Sequence, residues 1–356
     1  MPLLSGSNLC WKYRRSRVER CLPASRAASI AGRFLSSLTG AFMNLPGNPV
    51  AGLACEPKEG IVQSRDESPR GAEGAPVSAL SAREEMSGMK AAAPRSSMVV
   101  EIGGMAIRLR CGDPAFIDWL TSRYAGYVGR SDEASFDFEI ELAPAGRESG
   151  NEDLSVSWDS GCWLMERGDF RAEWNPSSGR GRVQQAVNPY SLDSVLRIMH
   201  TLLLAPKGGF LVHASSAVRN GRAFLFSGVS GAGKTTIASL APPDAHLLTD
   251  EISYVTREDG RYFAVGTPFF GELGRVGENL RAPIECVYLL AKGPENKIES
   301  IGGPDALRGL LGNVLFFARD TQSVKLVFDA AFEFVSRVPV RRLTFVPDER
   351  VWDWIA

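Results

Sequence analysis

Apolar and polar positions fall into a lasting pattern only from Met98 onward. Residues 99–110 alternate around Gly103-Gly104 and predict a hairpin, and residues 114–124 have helical spacing. Phe136-Asp137-Phe138-Glu139-Ile140-Glu141-Leu142 alternates strictly between apolar and charged, as a strand with one wet face does in an antiparallel sheet. Shorter strands are predicted at 163–165, 170–174 and 182–187. Together these elements predict a small N-terminal antiparallel β domain over 98–187. A helix follows, with Asn188 as N-cap, Pro189 in its first turn, and Leu192, Val195, Leu196, Met199, Leu202 and Leu203 on its buried face. His200 lies on this helix and is read as structural.

The next segment carries the chemistry. Residues 210–219 and 223–226 are apolar strands around Asn220-Gly221, a two-residue hairpin turn. In an unbulged register Arg219 faces Arg222, which brings His213 opposite Gly228. The second strand runs into Gly228-Val229-Ser230-Gly231-Ala232-Gly233-Lys234-Thr235, which fits G-x-x-x-x-G-K-[ST], and Thr236 opens helical spacing to residue 240. The glycines let successive backbone N–H groups turn toward an anion. Lys234 brings a compact positive charge to the β- and γ-phosphates, Thr235 offers a hydroxyl to Mg²⁺, and the helix start adds its dipole. The nucleotide-binding set is therefore Gly228, Ser230, Gly231, Ala232, Gly233, Lys234, Thr235 and Thr236. Residues 245–251 read as a strand ending in Asp250-Glu251, where a P-loop enzyme needs an acid near its metal. Two adjacent acids are able to divide the work, one holding the metal and the other taking a proton.

Further on, a hairpin is predicted around Asp259-Gly260 and a loop over 266–272, read equally as a cover for nucleotide or substrate and as a plain connection. Residues 286–291 are predicted as a buried strand, 304–314 and 324–335 as helices, and 342–345 as a last strand, with Trp352 and Trp354 closing on the core. Arg275, Arg281 and Arg319 are candidates for stabilising charge on a transferred phosphoryl group, and the sequence does not choose among them.

Composition narrows the class. The chain has 356 residues and a formal net charge of −1, so no global basic excess points to nucleic acid. No apolar run is long enough for a membrane span. Cys10, Cys21, Cys55, Cys111, Cys162 and Cys286 form no CxxC pair and sit at no metal-ligand spacing, which argues for reduced thiols in a cytoplasmic protein. Residues 1–97 are rich in Pro, Gly, Ser, Ala and Arg without helical or strand period, and are read as a disordered tail or a start codon set too early.

His213, the hairpin, the loop 228–235 and Thr249-Asp250-Glu251 together resemble the catalytic core of HPr kinase/phosphorylase, and more distantly ATP-dependent phosphoenolpyruvate carboxykinase. The resemblance covers 210–255 and extends in layout to HPr-kinase-related proteins found beside peptide-modification genes. It implies an α/β fold in which a P-loop nucleotide-binding core of this type, over 188–356, follows the small N-terminal antiparallel β domain. It also implies ATP and Mg²⁺ as cofactors. Under it, Lys234 and the loop amides hold ATP and Thr235 ligates Mg²⁺. Asp250 is general base toward a serine or threonine hydroxyl and shares the metal side. Glu251 helps hold metal, and His213 orients or shares the proton with Asp250. Two departures stand out: Glu replaces the family's second Asp, and no copy of the downstream signature of true HPr kinases is present. The expected activity is transfer of the γ-phosphoryl group of ATP to a Ser/Thr hydroxyl on a protein or peptide other than HPr. The expected partners exclude nucleic acid and membrane and admit a homo-oligomer. A nucleotide-dependent binding protein that transfers nothing, and a small-molecule kinase, stay open.

Overall fold

Strands β1 (Ser96–Ile102) and β2 (Met105–Cys111) make the hairpin around Gly103-Gly104, with Ile102 opposite Met105. Helix α1 (Pro114–Arg123) follows, its N-terminus capped by Asp113, whose carboxylate accepts the Ala115 N–H at 2.9 Å. Strands β3 (Phe136–Leu142), β4 (Ser155–Asp159), β5 (Cys162–Arg167), β6 (Phe170–Asn175) and β7 (Arg180–Gln185) complete a seven-stranded sheet in the order β1-β2-β3-β7-β6-β5-β4. The computed structural model describes residues 96–129, 134–143 and 154–355, which fall in one unit, Ala92–Ala356. The expectations for residues 1–95, Cys10, Cys21 and Cys55 among them, lie outside the described residues.

This sheet is mixed, not antiparallel as its alternating strand suggested. β3 runs parallel to β2 on one side and to β7 on the other. The physical reason is connection length. Parallel neighbours need a crossover, which α1 supplies between β2 and β3, and which the β4–β6 excursion supplies between β3 and β7. Alternation tells which face is wet and is silent on direction. Phe138 and Ile140 are buried, while Asp137 on the opposite face takes a bidentate bond from Arg110.

Helix α2 (Pro189–Leu204) leads into the second sheet. The Asn188 side-chain oxygen accepts the Ser191 N–H at 3.0 Å, and Leu192, Val195, Leu196 and Met199 are buried. Leu202 and Leu203 are only half-buried, and Leu204 takes the inner position. The strands that follow are β8 (Phe210–Arg219), β9 (Arg222–Ser227), β10 (His246–Thr249), β11 (Ile252–Glu258), β12 (Arg261–Val265), β13 (Arg281–Lys292), β14 (Lys297–Ser300) and β15 (Val340–Phe345). Helices α3 (Lys234–Ser239), α4 (Gly303–Leu311) and α5 (Thr321–Arg337) lie between them. Among the described residues no helix is long and apolar enough to cross a membrane.

The pairings close on themselves. β8 pairs β11, β11 pairs β12, β12 pairs β13, β13 runs parallel to β9, and β9 returns to β8 as the hairpin. β8 is paired on both edges: residues 214–219 pair β9, while residues 210–213 pair β11 and residues 216–218 pair β10. On one face of these strands Val212, Ala214, Leu225, Val255 and Val287 pack with Leu310 of α4 and Phe334 of α5. On the other face Phe224, Phe226 and Tyr288 pack with Ile237 of α3 and Trp352. Each fully buried side chain of this size contributes about 1.5–3 kcal/mol to the fold. Trp352 is 2% exposed and Trp354 is 52% exposed, so only the first of the two expected tryptophans closes on the core. Both lie on a single short 3-10 helix, Glu349–Trp354, where residues two apart cannot share one face.

Candidate functional site

Strand β9 ends at Ser227 and α3 begins at Lys234, so residues 228–233 form the turn between a strand and a helix. Gly233 stands at φ +108°, and a Cβ there would meet the Phe345 ring at 2.7 Å, so glycine is required on two counts. Ala232 and Lys234 are buried, while Ser230 and Gly231 are exposed and Thr235 and Thr236 half-buried. The Lys234 ammonium donates to the carbonyls of Gly228 at 3.0 Å and Val229 at 3.3 Å, which folds it back over the loop. The Thr235 hydroxyl makes no hydrogen bond among the described residues. Behind the loop, Trp352 donates its indole N–H to the Ile237 carbonyl at 3.1 Å and pins α3.

The hairpin has the expected register. Arg219 pairs Arg222 and Ala214 pairs Ser227, across Asn220 and Gly221 at φ +52° and +73°. The ladder ends at Ala214–Ser227, one step before His213 and Gly228, and the Ser227 hydroxyl donates to the His213 carbonyl at 3.1 Å. His213 shares its face of β8 with Ser215, whose hydroxyl donates to the Lys234 carbonyl at 3.1 Å. On its other side His213 pairs Ile252 of β11.

The acids sit where β10 breaks into β11. Thr249 pairs Ser216, Ile252 pairs His213, and the Glu251 carbonyl accepts the Ala214 N–H at 3.0 Å. Consecutive residues of β8 therefore hold the loop through Ser215 and the acid corner through Ala214 and Ser216. The two carboxylates have separate surroundings. Asp250 is 3% exposed; its Oδ1 accepts the Gly271 N–H at 2.8 Å and its Oδ2 the Leu273 N–H at 2.9 Å. Glu251 turns to α2, where Arg197 donates to its Oε2 at 3.2 Å. Burial raises the Glu251 pKa above the ordinary carboxylate value, Asp250 and Asp193 push the same way, and Arg197 opposes them.

Several of these contacts had no signal in the sequence. Arg197 lies over the Phe269 ring at 5.0 Å, and Arg123 of α1 is paired with Asp193 of α2 and flanked by the rings of Tyr190 and Phe270, 5.0 Å and 4.8 Å from its guanidinium carbon. The loop over 266–272 is stitched to the acid corner. Thr267 donates to the Ile252 carbonyl at 2.9 Å, and Thr249 donates to the Phe269 carbonyl at 3.0 Å. Of the three arginines proposed from sequence, Arg281 is bound to Glu258 and lies over Phe263, at the start of β13. Arg275 and Arg319 are exposed. His200 is fully buried against Tyr254, its Nδ1 3.3 Å from the hydroxyl, and burial lowers its pKa to about 3, which fits the structural reading.

No curated protein matches the chain. Among solved structures it is similar to the Hpr(Ser) kinase/phosphatase from Coxiella burnetii, at 14% identity and a TM-score of 0.19, over 36% of this chain and 90% of that one. That likeness is slight. Residues 183–356 match the family described as SynChlorMet cassette protein ScmC, a span that takes in α2, the whole second sheet and the short helix carrying Trp352.

Proposed function

We propose that the chain is an ATP-dependent phosphotransferase, moving the γ-phosphoryl group to a serine or threonine hydroxyl of a peptide or protein. The observation that carries this reading is the junction on β8: a strand–GVSGAGKT–helix turn and an Asp-Glu pair tied to consecutive residues of one strand. Mg²⁺ prefers hard oxygens and keeps several waters, and the Thr235 hydroxyl and the Asp250 carboxylate are oxygens of the kind that would hold it. When bound, the ion neutralises charge on the transferred group.

In the reaction the acceptor oxygen forms a bond to the γ-phosphorus, the bridge to the β-phosphate breaks, and ADP leaves. The hydroxyl proton passes to an acid of the pair, for which the family resemblance names Asp250, with His213 beside it. Loop amides and Lys234 position the phosphates, and positioning with charge neutralisation supplies most of the rate. The site has no need of nucleic acid or membrane, and a cytoplasmic setting with a possible homo-oligomer belongs to the same proposal.

One observation favours a second reading, a nucleotide-dependent binding protein without transfer. Both Asp250 oxygens already hold backbone amides, as in a purely structural clasp. The two readings separate with γ-labelled ATP, Mg²⁺ and a lysate of the source organism. Label on a protein or peptide with wild type, absent with Asp250→Asn and Lys234→Ala, supports transfer. Intact MgATP binding with no label on any protein, peptide or small molecule supports the binder and overturns the kinase.

A further inference from the structure

Arg197 has no place in the loop-and-acids pattern, yet it is the cation bonded to the second acid. Its guanidinium and the Glu251 carboxylate are both largely buried, with side chains 14% and 12% exposed. The fully buried Phe269 ring lies beneath the guanidinium, and the Arg197 Nε is buried with no hydrogen-bond partner among the described residues. A desolvated arginine with a donor to spare is costly in a plain structural pair, where all of its N–H groups are usually met. A carboxylate already neutralised by arginine is also a poor seat for a divalent cation, which would face like charge at short range. Asp250, by contrast, has only neutral amide donors on its oxygens.

On the phosphotransferase reading above, we infer that Arg197 is a positioning residue: it holds the Glu251 carboxylate against α2, so that Glu251 hydrogen-bonds the acceptor hydroxyl, and Asp250 and Thr235 alone supply the metal-side oxygens. This reverses the division of labour that the family resemblance implies for the two acids. It also gives a reason for glutamate at the second position. The extra methylene lets the carboxylate reach α2 from the β10–β11 corner.

The test uses the full chain, a fluorescent ATP analogue as binding probe, and hydrolysis of MgATP with water standing in for the acceptor. In titrations of Mg²⁺ against probe binding, Asp250→Asn raises the half-maximal Mg²⁺ concentration by about tenfold or more, whereas Glu251→Gln stays within about twofold of wild type. Arg197→Met lowers it, because the released Glu251 carboxylate becomes open to the cation, and Arg197→Lys stays near wild type. Hydrolysis falls about 100-fold in Glu251→Gln and in Arg197→Met, with KM for MgATP little changed; the double variant falls no further, and Arg197→Lys recovers part of the loss. Thermal unfolding checks that Arg197→Met is folded; if it is not, the Arg197→Lys and Glu251→Gln arms carry the test. An Mg²⁺ requirement raised as much by Glu251→Gln as by Asp250→Asn would overturn the inference, as would additive losses in the double variant. A wild-type chain that binds no nucleotide overturns the phosphotransferase reading itself, a separate outcome.

Discussion

The two sides of the candidate site are made in different ways. The loop side is eight contiguous residues, 228–235, running from the end of β9 into the first turn of α3, shaped by glycine backbone geometry and by a lysine that bonds its own loop. The acid side is assembled from distant parts: Arg197 and Asp193 on α2, the break between β10 and β11, and the loop that brings Phe269, Gly271 and Leu273. A contiguous backbone motif is set by local sequence, while a side-chain cluster depends on the whole fold. Damage to the loop side should therefore stay local, and damage to the acid side should spread.

The largest effect expected is on the acid side. Asp250→Asn exchanges one acceptor oxygen for an N–H donor facing a backbone amide. At saturating Mg²⁺, phosphoryl transfer is expected to fall about 1,000-fold with nucleotide affinity nearly kept, within the range one catalytic group supplies. Hydrogen exchange at Gly271 and Leu273 should quicken in the same variant, and unchanged protection there would break the idea that Asp250 clasps the loop.

His200, one turn beyond Arg197 on α2, supplies the next effect. Its folded pKa of about 3 lies below the ordinary histidine value of 6.5. A depressed histidine lends stability that is fully present above pH 6.5 and is lost as pH falls toward 3, because the unfolded chain takes up the proton first. Over the two units from pH 6.5 to 4.5 that loss is about 2 kcal/mol. Denaturant unfolding at both pH values should show it in wild type and not in His200→Gln; an equal slope in both would remove the histidine from the account.

Lys234→Ala comes third, at about 2 kcal/mol of MgATP affinity by calorimetry, the scale of a charge-assisted contact. Its folding stability should change less than its nucleotide affinity, since the ammonium donates to the Gly228 and Val229 carbonyls of its own loop. The smallest effect is Arg281→Ala. Paired with a half-exposed Glu258 at the start of β13, Arg281 should alter transfer less than about twofold and stability by about 0.2–1 kcal/mol. A large loss of activity there would return Arg281 to the site and upset the contrast between the two sides.

The same contrast explains what the sequence made legible. The β8–β9 hairpin, its turn and the glycine loop are readable because each rests on neighbours a few residues apart, and counting from Arg219 gives the register as far as Ala214, one step short of His213. The acid pair was visible as residue types, but its partners were not. Gly271 and Leu273 stand 21 and 23 residues from Asp250, and Arg197 stands 54 from Glu251. Nothing in residues 189–204 beyond a polar position marks Arg197 out, since its role is fixed only when α2 crosses the corner. The parallel pairing of β3 was hidden for the same reason, because strand direction is a property of connections. Trp354 departs from the expectation that both tryptophans close on the core because a 3-10 helix turns residues two apart onto different faces.

Trp352 carries a last consequence. Its indole holds the carbonyl of Ile237, 115 residues earlier, and its own carbonyl is held by Arg219 at the tip of the β8–β9 hairpin. Phe345 packs on Gly233, and β13, the parallel neighbour of β9, pairs in turn with β15. During synthesis the loop sequence leaves the ribosome long before the residues that shape it, so the nascent chain displays a glycine-rich turn without a floor. On the proposed function, nucleotide capture would wait for the strand that carries Phe345, and a ribosome stalled before it would hold a chain with all of its loop residues and nothing packed behind them.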